Sequence, residues 1–127
     1  MKIQLNRQLK KYVDSYPSEW RVQISEYLKG ERQAFDIDFS NLPGTEFQQD
    51  VLREMLKIPF GETRSYKQIA ESVGKPKAYR AVANVCSINP YPIVIPCHRV
   101  VGSNGIGGFS LGIDMKSQLM KLEDIKI

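Results

Sequence analysis

Residues 65–90 read SYKQIAESVGKPKAYRAVANVCSINP, and the way this stretch divides decides the fold. Ser65 with Gln68 three residues on is a capping box, in which each side chain satisfies an otherwise orphaned backbone donor at a helix start. The short helix it opens is closed by Gly74, because glycine takes the left-handed conformation at a helix end without steric cost. Pro76 suits the first turn of a second helix, where its missing N–H costs little. Ala78, Ala81, Val82, Val85 and Cys86 give that helix one apolar face, and Asn89-Pro90 ends it. Two helices joined through a glycine turn make a helix-turn-helix outline, with Lys77 and Arg80 on the polar side of the second.

Charge around this outline sharpens it. From Ser72 to Ile113 there is no Asp or Glu, while Lys75, Lys77, Arg80 and Arg99 fall inside the stretch. Phosphate attraction needs this balance, since cations release the counterions of a nucleic acid and a nearby carboxylate would oppose them. These four residues are the expected DNA-facing cations. The net charge of +4 agrees in sign but alone says little about a partner.

Upstream, PSEWRVQISEYLKG places Trp20, Ile24, Tyr27 and Leu28 on one helical face, with Ser18 as the expected N-cap and Gly30 as the stop. QAFDIDF alternates Phe35, Ile37 and Phe39 with Asp36 and Asp38, which predicts a half-buried strand. After the NLPG turn, Thr45 and Gln48 form a second capping box, opening a helix whose core stripe is Phe47, Val51, Leu52, Met55 and Leu56. The first sixteen residues show no firm period and stay unassigned.

Downstream, residues 90–102 read PYPIVIPCHRVVG. Pro92 and Pro96 exclude an interior ladder strand, so this is a stiff, buried segment that carries Cys97 to a fixed place. Beside Cys97 stands His98, the only histidine of the chain. A thiol is a useful nucleophile as the thiolate, which a neighbouring base can produce. Adjacency does not make such a pair, however, because neighbouring side chains diverge in helix and strand, and a turn or a bridging water is required. Asn104-Gly105 is a hairpin-type turn, and a closing helix runs from an Asp114 N-cap to near Glu123.

At 127 residues, 42% hydrophobic and 25% charged, the chain fits one soluble globular domain. No membrane span and no secretory signal is evident, which sets the expectation of a cytoplasmic protein; no exposed heptad or long apolar edge is evident either, so a monomer is expected. Two cysteines do not make a disulfide scaffold, and with one histidine they fall short of a closed zinc site. No metal or cofactor is expected.

RAVANVCSINPYPIVIPCHRVVGSNGIGGFS, preceded by IPFGETRSYKQIA and followed by Lys116 through Glu123, resembles the C-terminal domain of the O6-alkylguanine-DNA alkyltransferases. The resemblance covers roughly Gly44 to Asp124, and PCHRV is its most specific part. It implies an α/β (α+β) protein with a mostly helical DNA-binding and alkyltransferase domain (44–127), a winged-helix-like helix-turn-helix and a PCHR active-site segment; where the family usually carries a fuller N-terminal domain, residues 1–43 (helix plus short strand) are expected to form a reduced layer packed on it. The implied activity is direct DNA repair, in which a flipped nucleotide passes its O6-alkyl group irreversibly to a cysteine. The implied partner is double-stranded DNA containing O6-alkylguanine, approached from the minor groove.

Carried over by motif, Cys97 is the acceptor, His98 the base acting through a water, Glu123 the carboxylate that orients it, and Asn89 a brace for the active-site segment. Tyr66 resembles the tyrosine that aids nucleotide rotation, and Arg80 the arginine that fills the gap left by the base. Val100 and Ser110 resemble backbone contacts to the extruded base. Where the family commonly reads Tyr-Ser-Gly-Gly, this chain has Phe109-Ser110-Leu111-Gly112, so Phe109 lacks a hydroxyl and Leu111 reshapes the pocket rim. Benzyl lesions are therefore expected to react more slowly than methyl lesions in DNA, and equal rates would contradict this. Cys97 argues against a non-transferring lesion sensor, in which that cysteine is commonly replaced. A plain helix-turn-helix regulator with a structural Cys97 is the rival of another class.

Overall fold

The computed structural model describes residues 4–103, 105–107 and 112–125. In chain order the elements are α1 (Arg7–Ser15), α2 (Ser18–Leu28), α3 (Glu46–Leu56), β1 (Arg64–Ser65), α4 (Tyr66–Ser72), α5 (Tyr79–Ser87), a 3₁₀ turn (Cys97–Arg99), β2 (Val100–Val101) and α6 (Ile113–Leu122). The fold is thus mixed, mainly helical with a small sheet. None of the described helices is long and apolar enough to cross a membrane.

Both capping boxes form. Thr45 accepts from Gln48 N at 3.2 Å while the Gln48 side chain accepts from Thr45 N at 2.8 Å; Ser65 and Gln68 do the same at 3.0 and 2.8 Å. Gly74, at φ 77°, follows α4 as the sequence predicts. The helix after the turn begins later than Pro76 suggests: α5 starts at Tyr79, and Lys75, Pro76 and Lys77 lie in the turn. Lys77 is therefore not on the polar face of that helix, whereas Arg80 is, one residue inside its start and exposed.

Other expectations are corrected. Residues 7–15, left unassigned, form α1, capped by Asn6, whose side chain accepts from Leu9 N at 2.8 Å. Its buried positions Leu9, Val13 and Tyr16 are helically spaced, but the exposed Tyr12 blurs the period. Ser18 is the first helical residue and Pro17 occupies the cap; Gly112, not Asp114, caps α6. QAFDIDF keeps the expected burial, with Phe35, Ile37 and Phe39 half-buried and Asp36 and Asp38 exposed, yet among the described residues it forms no strand. The reason is local. Gln23 acts as its ladder partner, accepting from Asp36 N at 2.7 Å and donating to Asp36 O at 3.0 Å.

Two apolar clusters make the core. One joins Val51, Leu52 and Met55 of α3, Ile69 of α4 and Val82 and Val85 of α5, and it includes Cys97 and Val100. The other joins Leu9 and Val13 of α1, Ile24 and Tyr27 of α2, Ile93, Val94, and Met115 and Leu119 of α6. Each fully buried large side chain contributes roughly 1.5–3 kcal/mol. Phe39 and Tyr91 pack against both clusters, so the segment leading to Cys97 runs along their shared boundary. β1 and β2 pair in parallel, Arg64 with Val100 and Ser65 with Val101, which ties the start of α4 to the residues just after the 3₁₀ turn. Strands of two residues carry no period, and the sequence did not reveal them.

Candidate active site

Proline fixes the segment before Cys97, and one side chain clamps it. Asn89 donates through Nδ2 to Ile95 O at 2.8 Å and accepts from Tyr91 N at 3.0 Å, spanning the segment from both ends. Tyr16 of the α1 C-cap donates to Pro92 O at 2.9 Å. Within the clamp Ile93 is held at φ 76°, a rare conformation for a β-branched residue, and it is fully buried. Residues 92 to 100 are all buried, as the proline pattern predicts for a stiff inner segment. The 3₁₀ turn Cys97–Arg99 follows directly, and all three of its residues are buried.

His98 is fully buried and its Nε2 lies 2.7 Å from Glu123 Oε2. Glu123 is itself 2% exposed. Its Oε1 accepts from Gly61 N at 3.0 Å and Arg99 Nε at 2.8 Å, and its Oε2 from Arg99 Nη2 at 3.0 Å and Tyr27 OH at 2.5 Å. An ionised carboxylate can only accept, so His98 Nε2 must carry the hydrogen and the neutral ring keeps its lone pair on Nδ1. That Nδ1 is buried and has no hydrogen-bond partner among the described residues.

Electrostatics follow from this burial. Burial alone would raise the Glu123 carboxyl, but the hydrogen bonds and charges of His98 and Arg99 outweigh it and hold the group well below the usual carboxylate range. Burial pushes the His98 imidazole down, opposed by Glu123. Burial pushes the Cys97 thiol up, while a hydrogen bond from Asn89 and the charge of Lys116 pull it back. Cys97 at rest is therefore a thiol that needs a base.

Of the expected site residues, Cys97, His98, Asn89, Val100 and Glu123 are brought into one buried region. Arg99 is there too, which corrects its assignment to the DNA-facing cations: it is 6% exposed, bonded to both oxygens of Glu123, and donates through Nη1 to Ile58 O at 2.8 Å. Lys75, Lys77 and Arg80 stand apart on the exposed turn and the start of α5. Tyr66 opens α4, and its hydroxyl meets the 102–107 loop at Gly107: a Cβ there, at φ 76°, would sit 2.8 Å from that hydroxyl and 3.0 Å from Gly102 N. Only glycine allows so close an approach. An antiparallel bridge joins Gly102 to Gly105, so Gly105 is a paired residue and not, as expected, a central residue of the turn; Asn104 lies outside the described residues, as do Phe109, Ser110 and Leu111.

Two participants escaped sequence reading. Lys116 is fully buried and donates to Val100 O at 2.6 Å. It precedes Glu123 by two helical turns, so the spacing held a usable signal. Tyr27 is fully buried in the apolar stripe of α2, and nothing in its spacing separates it from an ordinary core tyrosine.

Residues 46–125 match the family model described as 6-O-methylguanine DNA methyltransferase, DNA binding domain. A Methanosarcina barkeri protein named methylated-DNA–protein-cysteine methyltransferase is 48% identical over 103 residues, covering 80% of this chain and 65% of its own length. A Mycobacterium tuberculosis protein of the same name is 46% identical over 102 residues, 80% of this chain and 61% of its own. The crystal structure of Mycobacterium tuberculosis OGT in complex with DNA superposes with a TM-score of 0.80 at 44% identity, over 84% of this chain and 65% of that one. The O6-methylguanine-DNA methyltransferase of Pyrococcus kodakaraensis superposes with a TM-score of 0.71 at 28% identity, over 93% of this chain and 76% of that one.

Proposed function

The chain belongs to the 6-O-methylguanine DNA methyltransferase family, and from that premise we propose that it repairs DNA directly, moving an O6-methyl group from guanine to its own Cys97. The observation that carries this is the buried His98–Glu123 pair beside Cys97, with the imidazole Nδ1 left as the basic atom.

The thiol proton passes through a water to His98 Nδ1 while Glu123 stabilises the imidazolium that forms. Sulfur attacks the methyl carbon, the S–C bond forms and the C–O6 bond breaks. The electron pair returns to guanine, which takes up a proton as its ring carbonyl is restored. Net, the proton given up by the thiol is matched by the one gained on the guanine ring, His98 returns to its neutral form, and the protein keeps a thioether. Because that bond does not reverse, each molecule acts once.

Reaching a methyl group at a buried sulfur requires the nucleotide to leave the duplex. The pair α4 and α5 act as the helix-turn-helix, entering the minor groove, with Lys75 and Lys77 of the turn neutralising phosphates. Arg80 at the exposed start of α5 occupies the gap left by the base, and Tyr66 assists rotation. Residues 1–43 form a layer that packs on the DNA-binding and transferase part.

The test is stoichiometric: lesion duplex in excess is incubated with known protein, and repaired guanine is counted. A plateau equal to the protein added supports the reading, whereas continued turnover or no repair overturns it. Arg80→Ala is expected to slow repair of a paired lesion by on the order of tenfold, since the flipped state loses its filler. The slowing should be smaller on single-stranded substrate, where no gap opens; equal slowing on both would contradict the role.

A further inference from the structure

Glu123 Oε2 is shared. His98 Nε2 sits 2.7 Å from it and Tyr27 OH 2.5 Å, and the two donors lie side by side at 3.4 Å. Tyr27 comes from α2, in the N-terminal forty-three residues, and is fully buried. Its ring packs against Phe35 at 5.4 Å and Phe60 at 6.3 Å between centroids, and its hydroxyl donates to Glu123 Oε2.

We propose that Tyr27 is a positioning residue for the transfer step, setting the basicity of His98 by donating to the carboxylate oxygen that His98 also uses. The inference rests on the alkyl-transfer reading and adds to it that the N-terminal region supplies a group to the site.

The physics is a competition for one acceptor. A carboxylate oxygen that already receives a strong neutral donor has less charge left to stabilise an imidazolium. Burial, then the charge of Glu123, pushes the Tyr27 phenol far above its usual range, so it stays neutral and donating at any working pH. The other groups facing this pair keep their charge balance when Tyr27 changes: Arg99 from the 3₁₀ turn holds both carboxylate oxygens, Gly61 N holds Oε1, and the charges of Arg99 and of Lys116 from α6 disfavour the imidazolium. Without the hydroxyl, Oε2 is left to His98 and Arg99 Nη2, and more of its charge falls on the imidazole. The imidazolium is then favoured in the resting protein, and less of the base form is present near neutrality.

The test uses Tyr27→Phe in the full chain. Single-turnover transfer from O6-methylguanine duplex is measured across the acid and neutral range, with lesion-duplex affinity and thermal melting alongside. Because His98 is the only histidine, its ring gives a single set of imidazole NMR signals, and its titration and tautomer are read directly. The expected result is retained affinity, an acid limb of the rate profile moved up by about one pH unit, and the same upward move in the His98 titration. Superimposable profiles and titrations would overturn the proposal, even if melting fell. Should Tyr27→Phe not fold, 3-fluorotyrosine placed at position 27 strengthens the donation, and the limb is expected to move down; no move again overturns it. If wild type transfers no methyl, the alkyl-transfer reading fails, while the His98 titration still reports on Tyr27 separately.

Discussion

Glu123→Gln is expected to reduce methyl transfer to a trace and to destabilise the fold by about 3–5 kcal/mol, the usual cost of leaving one partner of a buried ion pair unmatched. The carboxylate accepts from Gly61 N, Tyr27 OH, His98 Nε2 and two nitrogens of Arg99. An amide offers one acceptor and turns a donor toward donors, and Arg99 at 6% exposure keeps its charge with no counter-ion. His98 loses both its orientation and the charge that stabilises its protonated form. Chemical denaturation read by the single Trp20, with transfer assays on the folded fraction, checks both effects. A variant as stable and as active as wild type would refute the assigned geometry.

The same pair fixes how stability responds to acid. Glu123, once burial is outweighed by His98 and Arg99, has a folded value below its unfolded one; its contribution is present above the unfolded carboxylate pKa of about 4.3 and is lost as pH falls toward the folded value. Burial lowers His98 in the folded chain, so the unfolded chain takes the proton first and stability drains as pH falls through about 6.5. Both work in one direction. In Glu123→Gln the lower step is expected to vanish while the histidine step remains, because burial of His98 persists without its counter-charge.

Cys97→Ser is expected to take transfer from one methyl per protein to none detectable while leaving lesion-duplex affinity in place. The thiol already lies above its ordinary value because of burial, and the Asn89 hydrogen bond and Lys116 charge only partly offset that. A hydroxyl in the same pocket holds its proton far more tightly and is the weaker nucleophile. The cations proposed to meet phosphate, Lys75, Lys77 and Arg80, lie on the exposed surface and are untouched. Loss of affinity along with transfer would mean that the substitution had damaged the fold rather than the chemistry.

Much of the site was legible because local rules fix it. The capping boxes at Thr45 and Ser65 are satisfied within four residues, so no distant partner can override them. Pro92 and Pro96 exclude a ladder strand wherever they stand. Stretch 35–39 shows where such rules stop: alternation gave its burial correctly, but the backbone of Asp36 bonds to a side chain, Gln23, and not to a strand. Arg99 was misread for a related reason. Charge counting along a chain cannot see that a carboxylate twenty-four residues away folds onto it. Tyr27 was invisible because its role lies in where one hydroxyl points, seventy-one residues from His98 in sequence.

The most direct measurement is intact mass with a peptide map after incubation with duplex DNA carrying one O6-methylguanine, beside undamaged duplex and Cys97→Ser. The expected result is one added methyl, located on Cys97, with damaged DNA only and never in the variant. An unchanged mass together with lesion-selective binding would contradict transfer and leave a sensor; an unchanged mass without preference would leave a DNA-binding module whose cysteine is structural.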